Sequence, residues 1–456
     1  MLRLRRYIPA IGLVAGCSCI AMVLSLPVIA ADQPKILKDI QGLYEKQEYQ
    51  HALEELSKLE SSRAMMPEAQ RLKVRLLVKT GKPKEALEEY DKLEMSQRRE
   101  EQPLLNEIAL SLILVLTKDM RDQMRGAAYT ALKEINSDKM VPYFEDGLSD
   151  GSGPVRVLAV EGLGRLEAGL RSKRLRTAVD DQAGLVKARV VKVLGKSGDQ
   201  SVIPLIEAAT KDELATVRIA AYGALMRLGR PNAWEPLRNA MGAPNPEDQA
   251  EAIRTIADLR DQRGTSMMAE LLTYKQPSVR AAAARGLGHL RRSEHRKAIE
   301  HLLKDPIPAV RESAAAALAD LGDKESVAAI SGSLSDKAFS VRAAAVAALL
   351  QLGQPYGSVA HSVRDLAQAN DPAARSSAAF ALGKANGENA GGAVGVLANL
   401  ASDPLPGPKI VALRSMGHVG NRDILPLLKD ALHDSNEAVS ATAAGAFLHH
   451  TMTGSK

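Results

Sequence analysis

The chain has 456 residues, a formal net charge of +6 and only 3% aromatic residues, with a single tryptophan. Its two cysteines, Cys17 and Cys19, both lie close to the N-terminus, so the rest of the chain can form neither a disulfide nor a zinc–thiolate site. The modest charge and the low aromatic content argue against a general nucleic-acid-binding surface.

Residues 1–31 are predicted to be a targeting segment. Arg3, Arg5 and Arg6 precede an uncharged run from Tyr7 to Ala31, and small residues stand just before Asp32, as at a signal-peptide cleavage site. Loss of the three arginines would lower the formal charge from +6 to +3. We therefore expect a periplasmic or cell-envelope protein. Two alternatives remain open: an uncleaved anchor over residues 7–31, and lipidation at the lipobox-like sequence VAGC (14–17).

Residues 35–100 have a repeat of 34 residues. The sequence LYEKQEYQHALEEL (43–56) aligns with LVKTGKPKEALEEY (77–90), so that Ala52 and Ala86 fall 34 positions apart. This period with a helix–turn–helix texture resembles the tetratricopeptide repeat, which implies helical hairpins here.

From about residue 104 to residue 450 the period changes to 31. A basic residue recurs at this interval and is followed each time by an Ala-rich stretch. It appears as Arg125, Arg156, Lys187, Arg218, Arg280, Arg311 and Arg342, and Gln249 takes its place in one repeat. The spacing is slightly longer before Arg375 and Lys409, and Ser440 occupies the equivalent position in the last repeat. Such a period predicts a stack of helical hairpins, and residues 451–456 are predicted to be a tail.

Each predicted hairpin ends in a helix with two buried columns. A small residue stands three places after the basic position, as at Ala221, and a large apolar one seven places after it, as at Leu225. An aspartate stands six places before the basic residue in eight of the eleven hairpins. There its carboxylate can accept N–H groups at the helix start and pair with a basic side chain. The predicted structural ladder comprises Asp119, Arg125, Asp150, Arg156, Asp181, Lys187, Asp212, Arg218, Asp305, Arg311, Asp336, Arg342, Asp403 and Lys409.

The segment DPIPAVRESAAAALADLG (305–322) and its equivalents resemble the HEAT repeat, in the short form found in phycobilin-lyase-like proteins. The resemblance implies an all-α, right-handed solenoid of about eleven hairpins, preceded by the tetratricopeptide-like helices. We expect an open arc roughly 90 Å long, from helices about 8–10 Å apart. Because no polar capping helix follows residue 450, the flank of the last hairpin is expected to be exposed.

In a solenoid of this kind the second helices line the concave face, where the positions five and nine places after the basic residue point outward. These two columns give a basic stretch in the middle hairpins, predicted to bind an acidic, extended segment of a partner protein: Lys192, Lys196, Arg227, Arg254, Arg285 and His289. Ala316 and Ala347 form a smoother zone beyond it, followed by Phe380. A second basic run, RSKRLR (171–176), is expected on the convex side, where contact with anionic lipid is an alternative to simple solvation.

No catalytic, metal or cofactor site is predicted. His289, His295 and His301 are spaced by six and do not share a helix face, and there is neither an HExxH sequence nor a phosphate-binding loop. We therefore predict a non-enzymatic protein-binding scaffold that does not bind nucleic acid; its oligomeric state is not predicted. Two alternatives stay open: an enzyme or enzyme subunit of the HEAT-like lyase or hydroxylase type, and a nucleic-acid-binding solenoid.

Overall fold

The computed structural model describes residues 26–60, 66–93, 101–419, 421 and 423–453. Among these residues every regular element is a helix and none is a strand, which confirms the all-α prediction. The chain divides into two compact units, Met1–Leu104 and Leu105–Lys456.

Most of the predicted targeting segment, residues 1–25, lies outside the described residues. The first described helix begins at Leu26 and so includes the end of that segment. Across the described part of the chain, no helix combines the length and the apolar character that a bilayer span requires.

The first unit contains two helical hairpins. Its helices are α1 (Leu26–Glu45), α2 (Tyr49–Glu60), α3 (Pro67–Lys79) and α4 (Pro83–Asp91). Consecutive helices pack against each other around a core formed by Ile40, Ala52, Leu56, Ala69, Leu72 and Leu76. The assignment of these hairpins to tetratricopeptide repeats stays a prediction.

The second unit consists of eleven hairpins, each with a first and a second helix. The first helices are α5 (Gln102–Leu114), α7 (Val141–Gly147), the pair α9 (Glu167–Leu170) and α10 (Lys173–Thr177), α12 (Ile203–Ala209), α14 (Trp234–Ala240), α16 (Thr265–Leu271), α18 (Arg296–His301), α20 (Val327–Gly332), α22 (Ala360–Ala367), α24 (Asn389–Ala401) and α26 (Ile424–Ala431). The second helices are α6 (Asp122–Ile135), α8 (Gly153–Leu163), α11 (Gly184–Lys196), α13 (Ala215–Arg227), α15 (Pro246–Asp258), α17 (Pro277–His289), α19 (Pro308–Leu321), α21 (Phe339–Gln351), α23 (Pro372–Leu382), α25 (Pro406–Met416) and α27 (Glu437–Thr453).

The two predicted columns form the core between neighbouring second helices. In the small column, Ala221 and its equivalents from Ala128 to Ala443 are fully buried. In the large column, Leu225 and its equivalents from Leu132 to Leu382 are buried as well. The small side chains let the helix axes approach closely, while the large ones fill the space between the hairpins. The repeated burial confirms the α-solenoid predicted from the period of 31.

The connection after a second helix uses the left-handed backbone conformation at one fixed position, eleven places after the basic residue. Glycine takes this position in several hairpins, for example Gly229 with φ +82° and Gly322 with φ +74°. Non-glycine residues take it in three others: Asn136, Arg260 and Arg291 have φ between 51° and 55°. A side chain with a Cβ atom is strained in this region, and a long arginine has no local hydrogen bond to offset that strain as asparagine does.

The hairpins close into a ring, because the last second helix, α27, packs against the first, α6. Three polar contacts join these ends: Arg121 Nη2 to Glu437 Oε2 at 2.9 Å, His418 Nε2 to Glu134 Oε2 at 3.1 Å, and Thr451 Oγ1 to Asn106 Oδ1 at 3.0 Å. We call this contact region the seam.

The two helix backbones approach closely at the seam. Gly445 allows this, since a Cβ atom at that position would lie only 2.7 Å from the carbonyl oxygen of Ala131. The apolar residues Phe447 and Leu448 near the end of α27 are fully buried. The helix continues to Thr453, into the residues predicted to be a tail.

The prediction of an open arc with an exposed terminal flank was therefore wrong. Each hairpin turns the stack by a small angle, and over eleven hairpins these angles bring the ends together. For a planar ring of eleven helices spaced about 8–10 Å apart, the helix axes lie on a circle roughly 30 Å across, which leaves an opening of about 20 Å once side chains of ordinary size are counted.

Candidate functional site

The second helices form the concave, inner layer of the ring. They pack against one another around the whole stack, whereas the first helices pack mainly against their own second helix. In a curved stack, the closely spaced layer is the inner one. An ion pair supports this: Lys192 of α11 reaches Asp258 of α15, two hairpins away, which is possible only where side chains converge.

The basic residue at the start of each second helix joins two consecutive hairpins, as Arg156 shows. Its Nε donates to Asp181 Oδ2 at 2.6 Å and its Nη2 to Asp181 Oδ1 at 2.7 Å. Its Nη1 donates to the carbonyl oxygen of Asp150, in its own hairpin, at 2.8 Å. Asp181 Oδ1 also accepts the backbone N–H of Ala183 at 2.8 Å. One arginine and one carboxylate thus fasten the turns of adjacent hairpins together.

The same geometry recurs along the ring. The pairs are Arg125–Asp150 (2.7 Å), Arg156–Asp181 (2.6 Å), Lys187–Asp212, Arg280–Asp305 (2.8 Å), Arg311–Asp336 (2.7 Å), Arg375–Asp403 (2.6 Å) and Lys409–Asp434 (2.6 Å). The hydrogen bond from Arg311 lowers the pKa of Asp336 below its ordinary value, against the opposing effect of burial. These carboxylates are therefore held in the ionised form by the same ion pairs that join consecutive hairpins.

Two predicted members of this arrangement, and the glutamine that replaces a third basic residue, are not paired with a carboxylate in the next hairpin. Arg218 and Arg342 bond only to backbone carbonyls of their own turns, because alanine replaces the aspartate in the hairpin that follows. Gln249, at the basic position of the hairpin between Arg218 and Arg280, is buried with its Oε1 unpartnered in the described structure.

The seam has its own version of the pair. Ser440 stands where the last hairpin would need a basic residue, so Asp119 accepts instead from Arg121 of its own turn. Arg121 also contacts Glu437. The hydrogen bonds from Arg121 lower the pKa of Asp119 to about 2.

The predicted basic stretch lies on the concave face, but carboxylates interleave with it. Lys192 pairs with Asp258. Arg254 Nη2 lies 2.9 Å from Glu251 Oε2, and Arg285 Nη1 lies 3.0 Å from Asp320 Oδ2. Asp258 and Asp320 stand nine places after the basic position of their own hairpins, in one of the two columns that supply the cations, and Glu251 lies three residues before Arg254 on α15.

A smaller cluster within this stretch keeps excess positive charge. Lys196 is exposed, and no carboxylate of the described residues forms an ion pair with it. Partial desolvation of its amine, and then the charges of Arg227 and Lys192, lower the pKa of Lys196, against the opposing charge of Asp258. Arg227 donates only to the backbone carbonyl of Asp258, at 3.1 Å. His289, two hairpins further on, is exposed.

The second basic run, on the convex side, is largely neutralised. Arg171 pairs with Glu167, Arg174 Nη1 lies 2.9 Å from Asp146 Oδ1, and Arg176 pairs with Asp199. His289, His295 and His301 do not form a metal site: the described residues contain no cluster of three His, Cys, Asp or Glu side chains suited to a metal ion.

The concave face also has a shallow pocket, which was not predicted as a site from the sequence. Its volume is about 670 Å³, and it lies across α19, α21, α23 and α25. We call it the Phe380 pocket, because the ring of Phe380 stands 63% exposed within it. Its floor is made of small residues, among them Ala343, Ala344 and Gly383, and its cationic end carries Lys384 and Arg414. The signal in the sequence was the alanine zone ending at Phe380.

Comparison with known proteins identifies the repeat. The family model for HEAT repeats matches four overlapping segments that together span residues 172–383. No curated protein matches the chain.

Among solved structures, human deoxyhypusine hydroxylase in complex with glycerol is 18% identical, with 56% of this chain and 99% of that chain covered and a TM-score of 0.30. The complex of CpcE and CpcF of phycocyanin lyase from a Nostoc species is 19% identical, with 49% and 92% covered and a TM-score of 0.32. A Kap121p mutant is 13% identical, with 92% and 56% covered and a TM-score of 0.36.

Proposed function

Since residues 172–383 of this chain are HEAT repeats, we propose that it is a non-enzymatic scaffold that binds a protein partner on the concave face of its ring. The observation that carries the proposal is the continuous inner layer of second helices, which leaves long side chains such as Arg227, Arg254 and Arg285 exposed around the ring. Such a surface offers many shallow contacts to a partner and suits recognition of an extended segment.

The partner segment is proposed to be acidic where it passes α11 and α13. Arg227 lies close enough to Lys196 to lower the pKa of that amine, Asp258 opposes this only in part, and no carboxylate of the described residues forms an ion pair with Lys196. A carboxylate from a partner would supply that ion pair, so binding is expected to be faster at low salt and weaker at high salt.

Site-specific photo-crosslinking tests the scaffold proposal. A photoreactive amino acid replaces Arg254 on the concave face, or Arg238 on the convex helix α14 as a matched control; these side chains are 49% and 53% exposed. We expect a discrete partner adduct from position 254 and none from position 238. An adduct formed only from the convex position would contradict the proposal.

Charge reversal tests the acidic-partner proposal. The variant Lys196→Glu/Arg227→Glu is expected to weaken binding of the crosslinked partner by at least about tenfold, since two charged contacts are lost. The convex variant Arg174→Glu/Arg238→Glu carries the same charge change and is expected to bind normally. Equal affinities of the two variants, or a salt-independent affinity of the unmodified chain, would refute the electrostatic proposal.

The scaffold is further proposed to act in the cell envelope, after export directed by residues 1–31. The support is the basic start followed by an uncharged run in the sequence. Cell fractionation with N-terminal sequencing checks this: we expect the chain in the envelope fraction, beginning at Ala31 or Asp32. A cytoplasmic chain that retains Arg3 would contradict export, and an envelope chain that retains it would favour the membrane anchor.

A further inference from the structure

The Phe380 pocket combines an apolar wall and a cationic end at a short distance. Phe380 and Lys384 are four residues apart on α23, and residues at this spacing have Cβ atoms about 5–6 Å apart on one face of a helix. Arg414 stands at the equivalent position to Phe380 in the next hairpin, on the adjacent helix α25.

The polar groups at the cationic end are incompletely satisfied. Arg414 Nε is buried without a hydrogen-bond partner in the described part of the chain, and no described acidic side chain pairs with Lys384. By contrast, the other charged groups near the pocket are occupied: Glu312 accepts from Ser340, and His418 pairs with Glu134. Glu134 lies near enough to Arg414 for their charges to interact, so Lys384 is the cation at this end that lacks an acidic partner among the described residues. A carboxylate is the ligand that best pairs with an amine and a guanidinium side by side.

The ligand must therefore present a carboxylate next to an apolar group. Exposed aromatic surface on a concave face buries apolar area only if a partner covers it. The last residue of a polypeptide carries both groups on one Cα atom, which matches the short distance between Phe380 and Lys384. The ring closure also favours a chain end, because a terminus enters a closed ring more easily than an internal loop does.

We propose that the Phe380 pocket binds the C-terminal residue of the partner protein, with its carboxylate on Lys384 and Arg414 and its apolar side chain on Phe380 and the alanine floor. This inference rests on the scaffold function proposed above and assigns the part of the partner that anchors it. Ser376 and Ser377 lie in the same pocket; their hydroxyls donate to backbone carbonyls at 2.8 Å, so each oxygen still accepts a hydrogen bond from the peptide backbone.

The test uses arrays of hexapeptides that are randomised at their last three positions and carry either a free or an amidated C-terminus, probed with the full chain. Peptides that bind are expected to end in an apolar residue with a free carboxylate. In fluorescence anisotropy titrations, amidation of a binding peptide is expected to weaken it at least about tenfold, the loss of one charge-assisted contact. Absence of any free-acid binder, or equal binding of the amidated peptides, overturns the proposal.

Two variants place the binding in the pocket. Phe380→Ser and Lys384→Gln change exposed side chains and are each expected to weaken the best peptide by about tenfold. Leu405→Ser and Lys337→Gln, which change an exposed leucine and an exposed lysine outside the pocket, are the matched controls and are expected to bind normally. If Phe380→Ser and Lys384→Gln bind like the controls, the pocket assignment fails.

The two proposals fail separately. A partner that crosslinks at position 254 regardless of Phe380→Ser and Lys384→Gln would remove the pocket assignment and leave the scaffold function intact. A partner that crosslinks only from the convex position 238 would remove the scaffold proposal itself.

Discussion

Replacing Arg156 by methionine tests the contribution of the arginine–aspartate pairs to the stack. Methionine keeps an unbranched apolar side chain and removes the guanidinium. The side chains of Arg156 and Asp181 are only 7% and 9% exposed, so the substitution leaves a nearly buried carboxylate whose remaining hydrogen bond comes from the Ala183 N–H. Breaking a buried pair from one side, together with the loss of the two hydrogen bonds to carbonyl oxygens of its own turn, costs about 3 kcal/mol in total.

Arg342 provides the matched control for this substitution. It donates to the carbonyl oxygens of its own turn at 2.8 and 3.3 Å, the same two distances as Arg156, but it has no carboxylate in the next hairpin. Arg342→Met therefore loses only these neutral-acceptor bonds, a cost of about 1 kcal/mol. The difference of about 2 kcal/mol isolates the pair with Asp181.

Urea unfolding followed by far-ultraviolet circular dichroism measures both variants, with the free energy of unfolding obtained by linear extrapolation. We expect Arg156→Met to lose about 2 kcal/mol more than Arg342→Met. If the two variants lose the same free energy, the inter-hairpin carboxylate contributes nothing and the structural role assigned to these pairs is refuted.

The pKa of Asp119 in the folded chain is about 2, below its ordinary value of 3.8. The stability that its carboxylate contributes is therefore complete above pH 3.8 and is lost as the pH falls toward 2. In acid unfolding, the variant Asp119→Asn should lose less stability over that range than the unmodified chain. Arg291→Gly should raise the free energy of unfolding by roughly 0.5–1 kcal/mol, because glycine relieves the left-handed backbone strain at some entropic cost. A free energy of unfolding below that of the unmodified chain, measured in urea, would contradict this. At the seam, Gly445→Ala should lower the melting temperature. The control Gly395→Ala, where a Cβ atom meets nothing within 4 Å, should raise it, because alanine has the higher helix propensity. Equal shifts of the melting temperature would argue against close packing at the seam.

The period of 31 was enough to predict the hairpins and their buried columns. Ala221 and Leu225 recur at fixed offsets because every hairpin meets the same neighbour, so one sequence pattern describes one environment. The ring closure could not be read from this pattern, because it depends on a small angle summed over eleven hairpins. Residues specific to the ends carried the only signal: Ser440 replaces the basic residue, and α27 lacks a polar outer face because α6 covers it.

The concave face was predicted less well, for a related reason. A column on one helix does not show which side chain on a neighbouring helix reaches it. Lys192 thus meets Asp258 from two hairpins away, and Arg285 meets Asp320 from the next. The exposed Phe380 was noticed in the column, whereas the unpaired Arg414 Nε beside it required the packing of two hairpins.

Cysteine crosslinking across the seam tests the closed ring most directly. In a chain with Cys17 and Cys19 changed to serine, the variant Arg121→Cys/Glu437→Cys is treated with a short bismaleimide at low protein concentration. The variant Asp122→Cys/Ser152→Cys places the same two positions on hairpins adjacent in sequence, and Arg121→Cys/Gln276→Cys places one cysteine on each of two distant hairpins. A closed ring predicts efficient intramolecular crosslinking of the first two variants and none of the third. An open arc would leave the first variant as unreactive as the third, and that result would contradict the account.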